Sequence, residues 1–111
     1  MGKIEVTHRF SATHQHRVPP GEWSKRHRHS WVWSVHIVGD EHQIYGWVAD
    51  FDEVRTWMVG SADEHYIGTT EQILVNLVAV LEAKWLPSGY RVTWARLEET
   101  PDQAAILERK P

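Results

Sequence analysis

Two stretches of alternating side chains constrain the fold of this chain more than any other feature. From Lys3 to His14 and from His27 to Val38, every second residue is apolar or histidine, which is the period of a β-strand with one buried face. His14, His27 and His29 all fall on such faces. If the two strands pair, their imidazoles converge at one end of a sheet.

These three histidines form a candidate metal site. Neutral imidazole is the commonest metal ligand, and three protein nitrogens with a fourth position left open are typical of catalytic zinc. A single His-x-His pair is weak evidence, because eight histidines in 111 residues also fit a few solvated surface side chains. The pattern predicts a Zn²⁺ site of His14, His27 and His29, with His16 as the alternative to His14.

Helical periodicity occupies the middle of the chain. Asp50 is a suitable N-cap for a first helix that ends at Gly60, and a second helix begins near Thr69 or Thr70 and ends before 87–89. The apolar residues at helical spacing are Phe51, Val54, Trp57 and Met58 in the first helix and Ile73, Leu74, Leu77, Val78, Leu81 and Trp85 in the second.

The remaining elements are a loop and two further strands. Val18–Gly21 is a proline-containing break, Tyr45–Val48 is extended or a turn, and strands are predicted over Tyr90–Glu99 and Ala104–Glu108. The order ββααββ predicts an α+β fold, an antiparallel sheet with both helices on one face.

Composition limits the class of protein. A chain of 111 residues with no linker is one domain, residues 1–111, and the absence of cysteine excludes disulfides and thiol catalysis. No apolar run approaches the roughly 20 residues that span a bilayer. The net charge of -3 argues against general nucleic-acid binding. We expect a cytoplasmic protein with neither a membrane nor a nucleic acid as its partner.

Five short motifs occur in a fixed order along the chain. They are Phe10–His14 (FSATH), His27–Trp31 (HRHSW), Gly46–Phe51 (GWVADF), Thr69–Glu71 (TTE) and Glu99–Pro101 (ETP). In this order they resemble the 6-pyruvoyl-tetrahydropterin synthase and 6-carboxy-tetrahydropterin synthase family, which reads F-x-A-x-H, H-G-H-x-Y, G-M-V-x-D-F, D-H, P-T-x-E and E-T. The resemblance covers nearly the whole chain.

The resemblance implies a tunnelling fold, in which subunits join their sheets into a barrel. Members of the family are homo-oligomers, trimers commonly paired into hexamers, with active sites between subunits. Unpaired sheet edges would also favour assembly. The implied substrate is the pterin 7,8-dihydroneopterin triphosphate, with Zn²⁺ acting as a Lewis acid on its side-chain hydroxyls.

The resemblance also implies residues that bind the pterin ring. Glu99 matches the strand-end carboxylate of the family, which accepts hydrogen bonds from the ring N–H and amino groups, whereas Glu98 has the wrong strand parity. Thr69, Thr70 and Glu71 match the segment that faces the pterin. Alternatively, Glu99 is a solvated strand-end residue and the threonines are an ordinary helix cap.

For proton transfer the family uses a cysteine with an Asp-His pair, and here the chain departs from the pattern. The spacing of the cysteine leads to Trp23, so its neighbour Glu22 is the candidate general base, and the alternative is an exposed loop glutamate. His65 matches the family histidine. Glu64, or Asp63 with a shift of one residue, matches the aspartate that would orient it.

Lys25, Arg26 and Arg28 surround the His-x-His motif and are candidate ligands of the triphosphate. The alternative is a solvated basic loop, and Arg28 stands where the family has glycine.

Only twelve residues separate His14 from His27, which favours the 6-carboxy branch, in 7-deazaguanine (queuosine) biosynthesis, over the 6-pyruvoyl branch. Cleavage of the substrate side chain is a further alternative, because it occurs where Glu replaces the cysteine. A non-catalytic zinc- and pterin-binding module is the alternative of another class, and the position of Glu22 discriminates it from an enzyme.

Overall fold

The computed structural model describes residues 2–41 and 46–110. Within them, the strands and helices are β1 (Gly2–Gln15), β2 (Arg17–Val18), β3 (Glu22–Trp23), β4 (His27–Gly39), α1 (Phe51–Ser61), β5 (His65–Ile67), α2 (Thr70–Val80), β6 (Arg91–Thr100) and β7 (Gln103–Glu108). A π-helical turn, Leu81–Trp85, continues α2. Of the segment predicted over 45–48, residue 45 lies outside the described residues, and 46–48 are neither helix nor strand.

The strands form a five-stranded sheet in the order β5-β1-β4-β6-β7. The ladder between β1 and β4 runs without a register shift from Gly2 opposite Gly39 to His14 opposite His27. All neighbours are antiparallel except β5, which is parallel to β1. The predicted α+β architecture is therefore confirmed, with β5 and the small β2–β3 hairpin as additions to the ββααββ order.

One face of the sheet carries the core, and both helices contribute to it. The alternating residues of β4 are buried against the apolar sides of α1 and α2, as their spacing predicts. The principal buried residues are Trp31, Trp33, Val35 and Ile37 of β4, Val54 and Met58 of α1, and Ile73, Leu74, Leu77 and Val78 of α2. His14, His27 and His29 lie on this same face, at the end of the β1–β4 ladder.

The helix ends agree with the predicted caps, with small differences. Asp50 is the N-cap of α1, and Thr69 caps α2 through a reciprocal pair of hydrogen bonds with Gln72. The prediction that α1 ends at Gly60 is wrong by one residue, since the helix includes Ser61.

Two apolar residues expected in the core are exposed. Phe51 is 56% exposed at the first position of α1. Trp85 is 38% exposed, because the π-helical turn, closed by a bond from Leu86 N–H to Leu81 O, shifts it away from the apolar stripe of α2. No helix in residues 2–41 and 46–110 is long and apolar enough to cross a membrane.

Candidate metal centre

Four potential ligands converge where β1, β4 and β6 approach one another. His14 lies directly opposite His27 in the β1–β4 ladder, and His29 is on the same face two residues further along β4. The fourth is Glu99 of β6. One ligand atom from each of the four lies within 4.8 Å of the others, so the group can hold a metal ion.

A β-bulge positions Glu99. Glu98 lies opposite Ala104 and Thr100 lies opposite Gln103, so Glu99 is the extra residue of β6. Glu98 accepts a hydrogen bond from Arg96 at 3.2 Å, whereas Glu99 contacts the histidines of its own chain. Glu99 is the predicted pterin ligand, and its contact with the candidate metal ligands was not predicted.

The hydrogen bonds of the ring Nδ1 atoms decide which nitrogens are free to bind a metal. Nδ1–H of His14 donates to the carbonyl of Gly68 at 3.0 Å, and Nδ1–H of His27 donates to the carbonyl of Lys25 at 2.7 Å. In the neutral rings both Nε2 atoms therefore carry a lone pair. They lie only 2.8 Å apart, and Oε1 of Glu99 is 3.1 Å from Nε2 of His14. Three acceptors at this separation suit a cation between them.

His29 supplies independent support for a cation. Its Nε2 atom is buried and makes no hydrogen bond of acceptable geometry, although Oε1 of Glu99 lies 3.3 Å away. A buried nitrogen without a partner is costly unless something else satisfies it. The alternative ligand His16 is not among the converging donors. Its Nδ1 donates to the carbonyl of Arg17.

Burial favours the neutral form of His14, which is the form that binds a metal ion. Burial lowers the pKa of His14, the nearby His27 and His29 lower it further, and the Gly68 carbonyl and Glu99 oppose the change. The indole of Trp31 packs edge-on against His14 and His29, with ring centroids 5.1 Å and 5.3 Å away. A neutral, immobilised imidazole is ready to bind a metal ion.

His65 lies on β5, opposite Thr13 of β1. Its Nδ1 shares a 2.6 Å hydrogen bond with Oγ1 of Thr13, and neither candidate carboxylate contacts the ring among the described residues. Oδ1 of Asp63 instead accepts from the backbone N–H of Glu64, whose carbonyl accepts from Thr13 N–H. Sequence reasoning missed the roles of Thr13 and of the Gly68 carbonyl, for which no sequence signal exists.

Glu22 is exposed on β3, opposite Val18 in the small hairpin. Trp23, at the family's cysteine position, is 46% exposed, and the guanidinium of Arg17 stacks over its ring at 4.0 Å. Glu22 is not in the group that can hold a metal.

The three candidate triphosphate ligands are exposed. Arg28 donates to Ser11 Oγ at 3.0 Å, and strand alternation turns it to the face opposite His27 and His29. Arg26 donates to Gln15 at 3.4 Å, and Lys25 contributes its carbonyl to the site through His27. The arginine that replaces the family glycine therefore does not crowd the metal donors.

Residues 3–110 match the family model described as 6-pyruvoyl tetrahydropterin synthase. The chain belongs to this family. No curated protein sequence matches it significantly.

Several solved structures share the fold of this pterin synthase family chain. The 6-pyruvoyl tetrahydropterin synthase of Caenorhabditis elegans is 18% identical, with 99% of this chain and 98% of that one covered and a TM-score of 0.67. An uncharacterized protein from Wolinella succinogenes is 15% identical, with 99% and 100% covered and a TM-score of 0.67. The Plasmodium vivax 6-pyruvoyl tetrahydropterin synthase is 15% identical, with 100% of both chains covered and a TM-score of 0.62. The single-chain α+β architecture of the tunnelling fold is therefore confirmed.

Three of the four residues that the family resemblance assigns to the pterin lie around one cavity. Thr70, Glu71 and Glu99 line a space of about 200 Å³ together with Gln103 and Ala104. The fourth, Thr69, accepts a hydrogen bond from Gln72 N–H at 3.2 Å as the cap of α2. The cavity is thus directly beside the candidate metal ligands.

Proposed function

We propose that this pterin synthase family member is a zinc-dependent lyase that acts on 7,8-dihydroneopterin triphosphate. The convergence of three histidine Nε2 atoms with the Glu99 carboxylate carries the proposal. His14, His27 and His29 would hold the zinc, which supplies Lewis acidity toward the side-chain hydroxyls of the substrate. The neutral tautomers set by the Gly68 and Lys25 carbonyls support this role.

The pterin ring would bind in the cavity beside these ligands. The Glu99 carboxylate can accept two hydrogen bonds from the ring N–H and amino group, and such charge-assisted bonds favour an orientation of the ring. Thr70 is buried and lines the cavity that the ring would fill. Binding there directs the substrate side chain toward the histidines.

Proton transfer falls to His65 and Glu22 in this proposal, with Glu64 and Asp63 as neighbouring carboxylates of His65. The Plasmodium vivax relative has a glutamate described as a catalytic residue, replaced by alanine or cysteine in two solved variants. A glutamate in place of the thiol therefore has a precedent in the family. General acid–base catalysis contributes about 10²–10⁴-fold, so turnover with a less suitable base is slow and still measurable.

The 6-carboxy product and a place in 7-deazaguanine biosynthesis are proposed from the short segment between His14 and His27.

The proposed assembly is a homohexamer, or a trimer, in the cytoplasm. The edge strand β7 supports assembly, because it presents an exposed Ile106 beside unpaired backbone groups. Lys25 and Arg26 would then meet the triphosphate at the surface.

A second candidate function is a zinc- and pterin-binding module without turnover. The exposure of Glu22, away from the converging donors, favours this alternative. One assay separates the two: the zinc-loaded protein is incubated with 7,8-dihydroneopterin triphosphate, and the products are identified by mass spectrometry. The masses also separate the 6-carboxy, 6-pyruvoyl and side-chain-cleaved products.

Matched variants make the assay specific. His65→Ala and Glu22→Ala should lower turnover, whereas Glu53→Ala, an exposed carboxylate on α1, should not. The double change His27→Ala and His29→Ala should abolish zinc binding in elemental analysis. Binding of a pterin with no conversion by the wild-type protein would reject the enzyme and leave the binding module.

A further inference from the structure

Glu99 belongs to two sites at once. Its Oε1 lies 3.1 Å from Nε2 of His14 and 3.3 Å from Nε2 of His29, and its side chain also lines the cavity shared by Thr70 and Glu71. A carboxylate that completes a set of three histidines makes four protein ligands, which is a closed zinc site. Catalytic zinc needs an open position, so the arrangement conflicts with catalysis unless Glu99 can leave.

The surroundings of Glu99 favour a carboxylate that can move. Its described polar contacts are with the two histidines, and no arginine or lysine holds it within residues 2–41 and 46–110. Its neighbour Glu98 is, by contrast, paired with Arg96 at 3.2 Å. The Glu99 side chain is 20% exposed. The cavity gives it a second place to point, which a change of side-chain rotamer can reach.

The bulge explains why one residue can serve both sites. An extra residue in β6 interrupts the regular ladder with β7 between Glu98 and Thr100, so Glu99 is not committed to one face of the sheet. It therefore lies between the histidines and the wall of the cavity formed by α2 and β7.

We propose that Glu99 is a ligand-exchange residue, which binds the metal before the pterin arrives and is released by it. The proposal rests on the proposed function. On pterin binding, the carboxylate gives up its contact with the metal and accepts hydrogen bonds from the ring N–H and amino group. The position that it leaves becomes available to an oxygen of the substrate side chain. No covalent bond of the substrate changes in this step.

Cobalt is a suitable probe, because Co²⁺ favours ligands similar to those of Zn²⁺. Its visible absorption reports the number and type of ligands around it. The wild-type protein, Glu99→Gln and Glu98→Gln are titrated with Co²⁺ against a competing chelator. Glu98→Gln is the matched control, since it changes the adjacent carboxylate on the other side of the bulge. We expect at least about tenfold weaker Co²⁺ binding and an altered spectrum for Glu99→Gln, and neither change for Glu98→Gln.

The second arm adds neopterin, which lacks the triphosphate, to each Co²⁺-loaded protein. The spectrum of the wild-type protein should shift on saturation, because Glu99 leaves the metal, and Glu98→Gln should behave in the same way. Glu99→Gln, which has no carboxylate to release, should lack that change. Binding of neopterin is followed separately by its fluorescence, so that a missing shift is not mistaken for missing ligand.

The outcomes separate the exchange from the proposed function. Wild-type affinity and spectrum in Glu99→Gln, with weaker neopterin binding, would make Glu99 a pterin ligand alone and overturn the exchange. A wild-type spectrum that stays constant at saturating neopterin would overturn it as well. Failure of the wild-type protein to bind Co²⁺ would reject the metal site, and with it both proposals.

Discussion

Trp31 is predicted to be the core residue on which the metal site depends. Its indole packs edge-on against His14 and His29, and its Nε1–H donates to the carbonyl of Ala12 at 3.1 Å. Replacement Trp31→Phe removes this hydrogen bond and leaves space beside both imidazoles. We expect lower stability of the metal-free protein and weaker metal binding from the same change.

Trp33 is the matched control. It is fully buried on the same face of β4, two residues from Trp31, and its Nε1 makes no hydrogen bond with the described residues. Both changes to Phe remove a similar apolar area. Trp31→Phe also loses a hydrogen bond of about 1 kcal/mol, and Trp33→Phe removes an unsatisfied N–H that costs about 1–3 kcal/mol. Trp31→Phe should therefore be the less stable variant by about 2–4 kcal/mol, or roughly 8–17 °C in Tm.

Urea unfolding in the presence of a chelator measures the first effect, and Co²⁺ titration measures the second. Metal affinity should fall by about tenfold in Trp31→Phe, because the supports of metal ligands contribute to binding at this level. Trp33→Phe should bind Co²⁺ like the wild-type protein. Equal stability and equal affinity of the two variants would refute the idea that Trp31 supports the histidines.

Three further predictions concern single residues. Thr69→Ala should lose about 1 kcal/mol of stability in urea unfolding, because α2 loses its N-cap. Thr69→Ser should retain most of the wild-type stability. Equal losses in the two variants would contradict the capping role. Thr13→Val should change the ring-nitrogen NMR shifts and the tautomer of His65, whereas Thr13→Ser should keep those of the wild-type protein. Unchanged shifts in Thr13→Val would show that the hydroxyl does not orient the ring. Burial, and secondarily Arg55, lowers the pKa of His8, so the unfolded chain binds more protons than the folded one. Stability should therefore fall as pH drops below the ordinary histidine pKa of about 6.5. In unfolding curves at pH 7.5 and 5.5, His8→Gln should lose less stability between the two pH values than the wild-type protein. An equal loss in both proteins would exclude His8 as the cause.

Much of the fold was accessible from the sequence because its main signals are long. The alternation in β1 and β4 extends over about a dozen residues, so both the pairing and the shared face of the three histidines could be predicted. The caps at Asp50 and Thr69 were recognisable because they are local, since their side chains act within three residues of their own position.

The features that escaped prediction are short or depend on distant contacts. Strand β5 has three residues, less than two periods of alternation, so its pairing with β1 and the bond from His65 to Thr13 left no pattern to detect. The contact of Glu99 with the histidines arises from a bulge, which breaks the period that sequence reasoning relies on. The carbonyl of Gly68 lies 54 residues from His14, and backbone acceptors carry no sequence signature at all.

The separation of the donors along the chain also sets an order in which the site can assemble. The hairpin of β1 and β4 needs only the first 39 residues and brings His14, His27 and His29 together. Glu99 can join them only when β6 pairs with β4. A metal ion present during refolding would accordingly stabilise the early hairpin and speed folding, while the loss of the Glu99 carboxylate would be felt mainly in the rate of unfolding.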